Sequence, residues 1–97
     1  MVDIKDFFKQ PPQPTGRTVI WYYTYDFVTK ESVAYTALKS AEDLALKWAK
    51  DRNREIWVVM IQHTPSYIRG IKIKSVYPNG NKFSTYEVIF EKQPSYF

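Results

Sequence analysis

Nine consecutive residues near the middle of the chain, EIWVVMIQH, place the tightest constraint on what this chain can fold into. Apolar side chains occupy both sets of alternate positions: Ile56, Val58 and Met60 form one set, and Trp57, Val59 and Ile61 form the other. Successive side chains of a strand point to opposite faces of a sheet, so this strand needs apolar neighbours on both faces. We therefore predict that residues 55–63 form a central strand.

A hairpin is predicted on the N-terminal side of this strand. Residues 17–28 and 33–39 are rich in β-branched and aromatic residues, and the polar sequence TKES separates them. A three-residue loop at positions 29–31 would pair three sets of residues: Phe27 with Val33, Tyr25 with Tyr35, and Tyr23 with Ala37. This register makes one face of the hairpin continuously apolar, which is the arrangement that register selection favours.

A second hairpin is predicted from residue 67 to residue 92. Asn79-Gly80 is the strongest turn signal in the chain, because both residues tolerate the positive φ angles of tight hairpin turns. A two-residue loop there pairs Ile73 with Tyr86, Ile71 with Val88, and Lys72 with Glu87. Apolar residues then face apolar residues and opposite charges face each other, as stable cross-strand pairs require.

One helix is predicted between the two hairpins. Ser40 is a suitable N-cap, Asp43 follows three residues later as in a capping box, and the helix should end near Asn53. Five apolar residues recur at helical spacing and predict the buried stripe: Ala41, Leu44, Ala45, Trp48 and Ala49. Acidic residues in the first turn and basic residues near the end suit the helix dipole.

The predicted order of elements is strand, strand, helix, strand, strand, strand. Ninety-seven residues suffice for one domain. We therefore predict an α+β fold, in which one main helix packs on one face of a five-stranded antiparallel sheet. Residues 1–16 form an N-terminal segment with the proline-rich linker KQPPQPTG, and residues 17–97 form the domain.

The aromatic sequence VIWYYTYDF raises the question of which sheet face the helix covers. We expect the more apolar set of alternate residues, which includes Tyr23 and Tyr25, to pack on Leu44 and Trp48 of the helix. Tyr22 would then lie on the open face. That face still carries large apolar groups and needs a cover, such as a terminal segment, a second copy or a ligand.

Composition argues against an enzyme. The chain has no cysteine, one histidine and three glycines, so it lacks thiolate chemistry, a histidine cluster and a phosphate-binding glycine loop. His63 is expected at the end of the central strand, near Ser66 and Tyr67, as a loop histidine and not a catalytic one, since no glycine-rich elbow accompanies it. We expect no metal, no small-molecule cofactor and no membrane association. The cysteine-free chain without a signal-peptide pattern predicts a cytoplasmic location.

The first functional hypothesis is nucleic-acid binding, to RNA or single-stranded DNA. The net charge is +4, and basic stripes can follow a phosphate backbone while an exposed aromatic ring stacks on bases. The candidate residues are Lys47, Lys50, Arg54, Arg69, Lys72, Lys74 and Tyr22. A solvated surface of mixed charge accounts for the same residues without any ligand.

The second hypothesis is a protein-interaction module or a small inhibitor or adaptor, of the kind that phages and mobile elements encode. The spare apolar sheet face and the aromatic termini motivate it, and its simplest form is a homodimer. The candidate partner-binding residues are Phe7, Phe8, Tyr96 and Phe97. The segment with Ile4, Phe7 and Phe8 is either a cap on the domain or a docking peptide for another protein.

Overall fold

A computed structural model describes residues 18–92. It contains β1 (Val19–Asp26), β2 (Glu31–Tyr35), α1 (Leu38–Arg52), β3 (Ile56–His63), β4 (Ile68–Val76) and β5 (Lys82–Lys92). The strands form one antiparallel sheet in the order β2-β1-β3-β4-β5, with β3 in the centre. The predicted α+β fold is confirmed. The boundary predicted after residue 16 lies outside the described residues.

The helix packs on the sheet face opposite to the one that we predicted. Its buried alanines contact Ile56, Val58 and Val76, with Tyr22 at the margin of this cluster. Thr24 lies on the same face and its hydroxyl donates a hydrogen bond to the carbonyl oxygen of Ala41, at 2.7 Å. Alanines bring a helix close to the sheet, and a short side chain such as Thr24 leaves room for that approach. Tyr23 and Tyr25 of β1 face away from the helix.

The second face of the sheet carries a core of its own. Tyr23 and Tyr25 of β1 are only 4% and 2% exposed, and they form a cluster with Val59, Ile61 and Ile68. Partly buried aromatic and aliphatic side chains pack around this cluster: Trp21, Phe27, Ala34, Trp57, Ile89 and Phe90. The prediction that β3 has apolar neighbours on both faces is confirmed.

The register of the first hairpin differs from the predicted one. Tyr25 pairs with Ser32 and Tyr23 pairs with Ala34, so β2 begins earlier than expected. The cause is Asp26, whose carboxylate accepts hydrogen bonds from the backbone N–H groups of Val28 and Thr29, at 2.9 and 3.3 Å. These bonds stabilise a longer turn between β1 and β2. The strand predicted at residues 33–39 ends at Tyr35, and the helix follows almost at once.

The helix starts earlier than its best capping residue. The N-cap is Ala37, which makes no side-chain capping bond, and Ser40 lies inside the helix. Asp43 instead forms an exposed ion pair with Lys39, at 3.6 Å. The predicted end is confirmed, since Asn53 adopts a left-handed conformation with φ of 53°. Asparagine tolerates this conformation better than most residues and commonly ends helices.

The second hairpin has the predicted register in its middle but a different loop. Ile71 pairs with Val88 and Lys72 pairs with Glu87, as predicted. The turn closes with hydrogen bonds from the Gly80 N–H to Tyr77 and from the Tyr77 N–H to Asn81, both at 2.9 Å, and it leaves three residues in the loop. A register shift between Lys72 and Lys74 compensates for the extra residue and removes the predicted pair of Ile73 with Tyr86.

Candidate functional site

The basic residues of the helix region are largely engaged with carboxylates. Lys47 forms an exposed ion pair with Asp51 at 3.0 Å. Arg54, just beyond the helix, contacts the buried carboxylate of Asp26 at 2.6 Å. Lys50 is exposed. The predicted phosphate-binding stripe therefore offers less free positive charge than the sequence suggested.

The basic residues of the second hairpin do not form one surface. Lys72 lies on the face away from the helix, where its ammonium group is 4.5 Å from the centre of the Trp57 ring. Lys74 points to the helix side and pairs with Glu42 at 2.7 Å. The register shift in β4 places these two lysines on opposite faces. Arg69 pairs with Glu91 and also packs over the Tyr67 ring, at 4.2 Å from its centre.

The aromatic residues proposed for stacking and docking have different outcomes. Tyr22 was expected on the face away from the helix, and this placement was wrong. It is partly buried beside the alanine cluster under the helix, so the predicted basic residues on the opposite face do not surround it. The partner-binding candidates Phe7, Phe8, Tyr96 and Phe97 lie outside the described residues.

A buried ion cluster joins the first hairpin to the end of the helix. The side chain of Asp26 is 0% exposed and its Oδ2 accepts hydrogen bonds from Arg52 at 2.7 Å and from Arg54 at 2.6 Å. Burial alone would raise the pKa of Asp26. The hydrogen bonds from Arg54, Arg52 and two backbone N–H groups outweigh burial and hold this pKa well below its usual range. All the groups of this cluster serve to join elements, so we assign it a structural role.

His63 lies at the end of β3, where the strand predicted over residues 55–63 placed it, and it pairs with Val19 and Ile68 in the sheet. Burial lowers its pKa, which favours the neutral ring. Within residues 18–92, no group of three or more His, Asp or Glu side chains has the arrangement of a metal site. In the same residues, no helix is long and apolar enough to cross a membrane.

The most distinctive exposed surface is one that the sequence reasoning missed. Among the described residues, five large apolar side chains are exposed, and three of these lie on β5: Phe83 at 55%, Tyr86 at 68% and Val88 at 50%. β5 is an edge strand, and within the described part of the chain it pairs only with β4. We call residues 82–88 of this strand the β5 edge.

The side chains of the β5 edge alternate regularly between the two sheet faces. Val76 and Ile71 point to the helix side, and their partners Lys82 and Val88 do the same. Ser84 and Tyr86 share this face by alternation. Phe83, Thr85 and Glu87 occupy the opposite face. The alternation ends at Ile89, because this residue is an extra one between the pairs Ile71–Val88 and Gly70–Phe90.

The other edge of the sheet is different. β2 has five residues, none of which belongs to the exposed large apolar group. Glu31 at its start bonds Arg52 of the helix at 3.0 Å. Because β5 has 11 residues, it offers a much longer row of backbone N–H and C=O groups.

A sequence signal for the β5 edge exists in retrospect. The central strand β3 is apolar on both faces, whereas KFSTYEV mixes polar, charged and aromatic residues on both. Such a mixed pattern is typical of an edge strand with little cover.

Comparison of the chain with models of protein families, with curated proteins and with solved structures finds no significant match.

Proposed function

We propose that this chain is a small non-enzymatic protein-interaction domain that binds its partner through the β5 edge. The observation that carries the proposal is the concentration of exposed apolar side chains on this one edge strand, with Tyr86 the most exposed at 68%. Isolated exposed apolar residues are ordinary, but a cluster on one strand of a small domain marks an interaction surface.

An edge strand also supplies hydrogen bonds. A partner strand that aligns with β5 would bond the backbone groups on its outer side, while the side chains on the two faces would select the partner. Tyrosine is enriched among residues that dominate binding energy, because its large ring loses little conformational freedom on binding. Tyr86 and Val88 lie on the same face and would act together.

The ion pairs favour this function over nucleic-acid binding. A phosphate group that contacts Arg54 or Lys74 would first have to displace the carboxylate of Asp26 or Glu42. Exchanging one anionic partner for another releases little of the electrostatic free energy that drives nucleic-acid binding. Binding to RNA or single-stranded DNA stays a prediction, and so does the cytoplasmic location.

The test compares the same substitution at two exposed valines. Val88→Lys places a charge on the β5 edge, and Val28→Lys places the same charge on the β1–β2 turn, where the valine is 58% exposed. Proteins that bind the immobilised native chain should fail to bind the Val88→Lys variant. The same proteins should still bind the Val28→Lys variant. Circular dichroism checks that both variants fold.

Two results would refute the proposal. One is equal retention of bound proteins by the two variants. The other is tight binding to RNA or single-stranded DNA that weakens steeply between low and physiological salt and drops when Lys50 and Lys72 are replaced. The second result would establish the nucleic-acid function in its place.

A further inference from the structure

We infer that the partner of the β5 edge is a second copy of the same chain. The β5 strands of the two copies would pair antiparallel around a two-fold axis at Thr85, and the two sheets would join into one continuous sheet. This inference rests on the proposed function, since it names the partner of that surface.

Symmetry restricts how two β5 strands can pair. A two-fold axis perpendicular to the sheet makes the strands antiparallel and keeps equivalent residues on the same face. Directly opposed residues must then belong to the same face of the strand. The regular alternation from Lys82 to Val88 meets this condition, and Thr85 is the centre of that run. A register centred there uses the whole run and ends before the irregularity at Ile89.

The side chains of the β5 edge pair without charge repulsion in this register. On the helix side, Ser84 opposes Tyr86 of the second copy, so a small residue meets a large one twice. Lys82 opposes Val88, and on the other face Phe83 opposes Glu87. No like charges are directly opposed.

A shift of the axis to Glu87 would introduce charge repulsion. It would place two Glu87 side chains directly opposite each other, which is destabilising. It would also bring Ile89 opposite Thr85 and extend the pairing across the irregularity. Charge and alternation therefore both favour an axis at Thr85 over one at Glu87.

Disulfide trapping tests the register directly, because the chain contains no cysteine of its own. In the inferred dimer the two Thr85 Cα atoms are about 4.5–5.5 Å apart, which lies within the range that a disulfide spans. Two Glu87 residues are displaced by four positions along the strands, about 13 Å. Thr85→Cys should therefore form a covalent dimer at least about tenfold faster than Glu87→Cys under mild oxidation.

Sedimentation equilibrium tests self-association without any crosslink. The native chain should show a concentration-dependent equilibrium between monomer and dimer, since a single strand edge buries less surface than an obligate dimer interface. Val88→Lys should weaken dimerisation at least about tenfold, because a charged edge residue opposes strand pairing. Val28→Lys should leave the equilibrium unchanged.

The outcomes separate this inference from the proposed function. If the native chain stays monomeric at millimolar concentration and Thr85→Cys crosslinks no faster than Glu87→Cys, the second copy is not the partner. Val88-dependent capture of a different protein would in that case still support the proposed function. The inference would also be overturned if Val28→Lys disrupted the dimer and Val88→Lys did not. Such a dimer would form through a surface other than the β5 edge.

Discussion

Replacement of Asp26 by asparagine tests how this domain holds its helix against the first hairpin. The carboxylate lies under the end of α1 with 0% exposure, and it bonds Arg52 at 2.7 Å and Arg54 at 2.6 Å. It also accepts hydrogen bonds from two N–H groups of the β1–β2 turn. Asparagine has nearly the same shape, so Asp26→Asn removes the charge with little change in packing.

The magnitude follows from what the substitution leaves behind. Removing one partner of a buried ion pair costs about 3–5 kcal/mol, because the remaining charge stays desolvated without compensation. The side chains of Arg52 and Arg54 keep 23% and 31% exposure, which lets water reach them. We therefore expect a loss of about 3 kcal/mol in the free energy of unfolding, a large share of the roughly 5–15 kcal/mol typical of a folded domain.

Urea unfolding followed by tryptophan fluorescence measures this loss, and Glu31→Gln is the matched control. Glu31 bonds the same Arg52 at 3.0 Å, but its side chain is 54% exposed. Water screens such a pair, so Glu31→Gln should cost far less than Asp26→Asn. Similar losses in the two variants would refute the reasoning, because burial of the carboxylate is its basis.

The pH dependence of stability supplies a second test of Asp26. Its pKa is lower in the folded chain than in the unfolded one, so the unfolded state binds the proton more tightly. The stabilisation is therefore complete at neutral pH and declines progressively as the pH falls below about 5. Asp26→Asn lacks this group, and its stability should decline less steeply with acid. Parallel acid profiles for the two chains would contradict the assignment.

Three further substitutions test the packing on the two faces, each by urea unfolding. Thr24→Val should cost about 1 kcal/mol through loss of the 2.7 Å hydrogen bond to Ala41, and no loss would show that this bond contributes nothing. Ala45→Leu should cost about 1–3 kcal/mol or more, because this fully buried alanine allows the helix its close approach to the sheet; a neutral result would contradict that. Gly70→Ala should destabilise because its Cβ would overlap the Phe90 ring, and Phe90→Leu in the same chain should recover part of the loss. Additive losses in the double variant would argue against that overlap.

Local sequence signals predicted the types and order of the elements well. The continuous apolar run within Glu55–His63 can be seen without knowledge of neighbouring strands, and so can the alanine stripe of the helix. The end of the helix at Asn53 follows from a backbone preference of one residue. These features are properties of short segments, so a short window of sequence contains them.

Register and face were predicted less well, since they depend on contacts between distant segments. In the sequence, Asp26 is one polar position in an aromatic strand. Its bonds to the turn and to Arg52 and Arg54 move the first hairpin into another register and draw the helix to that face. In the second hairpin, a longer loop and a register shift compensate each other, and no local pattern reports either.

The candidate surface shows the same division between local and long-range information. The basic residues were visible in the sequence, but their carboxylate partners are often far away, as with Lys74 and Glu42. The exposure of Tyr86 follows from the position of β5 at the edge of the sheet. That position depends on which strands pair, and strand order is not encoded in any one strand.

The sequence by itself determined the α+β class, the order of elements and the two-sided burial of β3, because alternation and helical period act through nearest neighbours. The tertiary structure alone decided which face of β1 receives the helix, which charges are neutralised and which strand is left at the edge. Each of these outcomes depends on a competition among long-range contacts. On β1, the buried carboxylate of Asp26 and the three buried alanines of the helix outweigh the apolar rings of Tyr23 and Tyr25, so the helix packs on the other face.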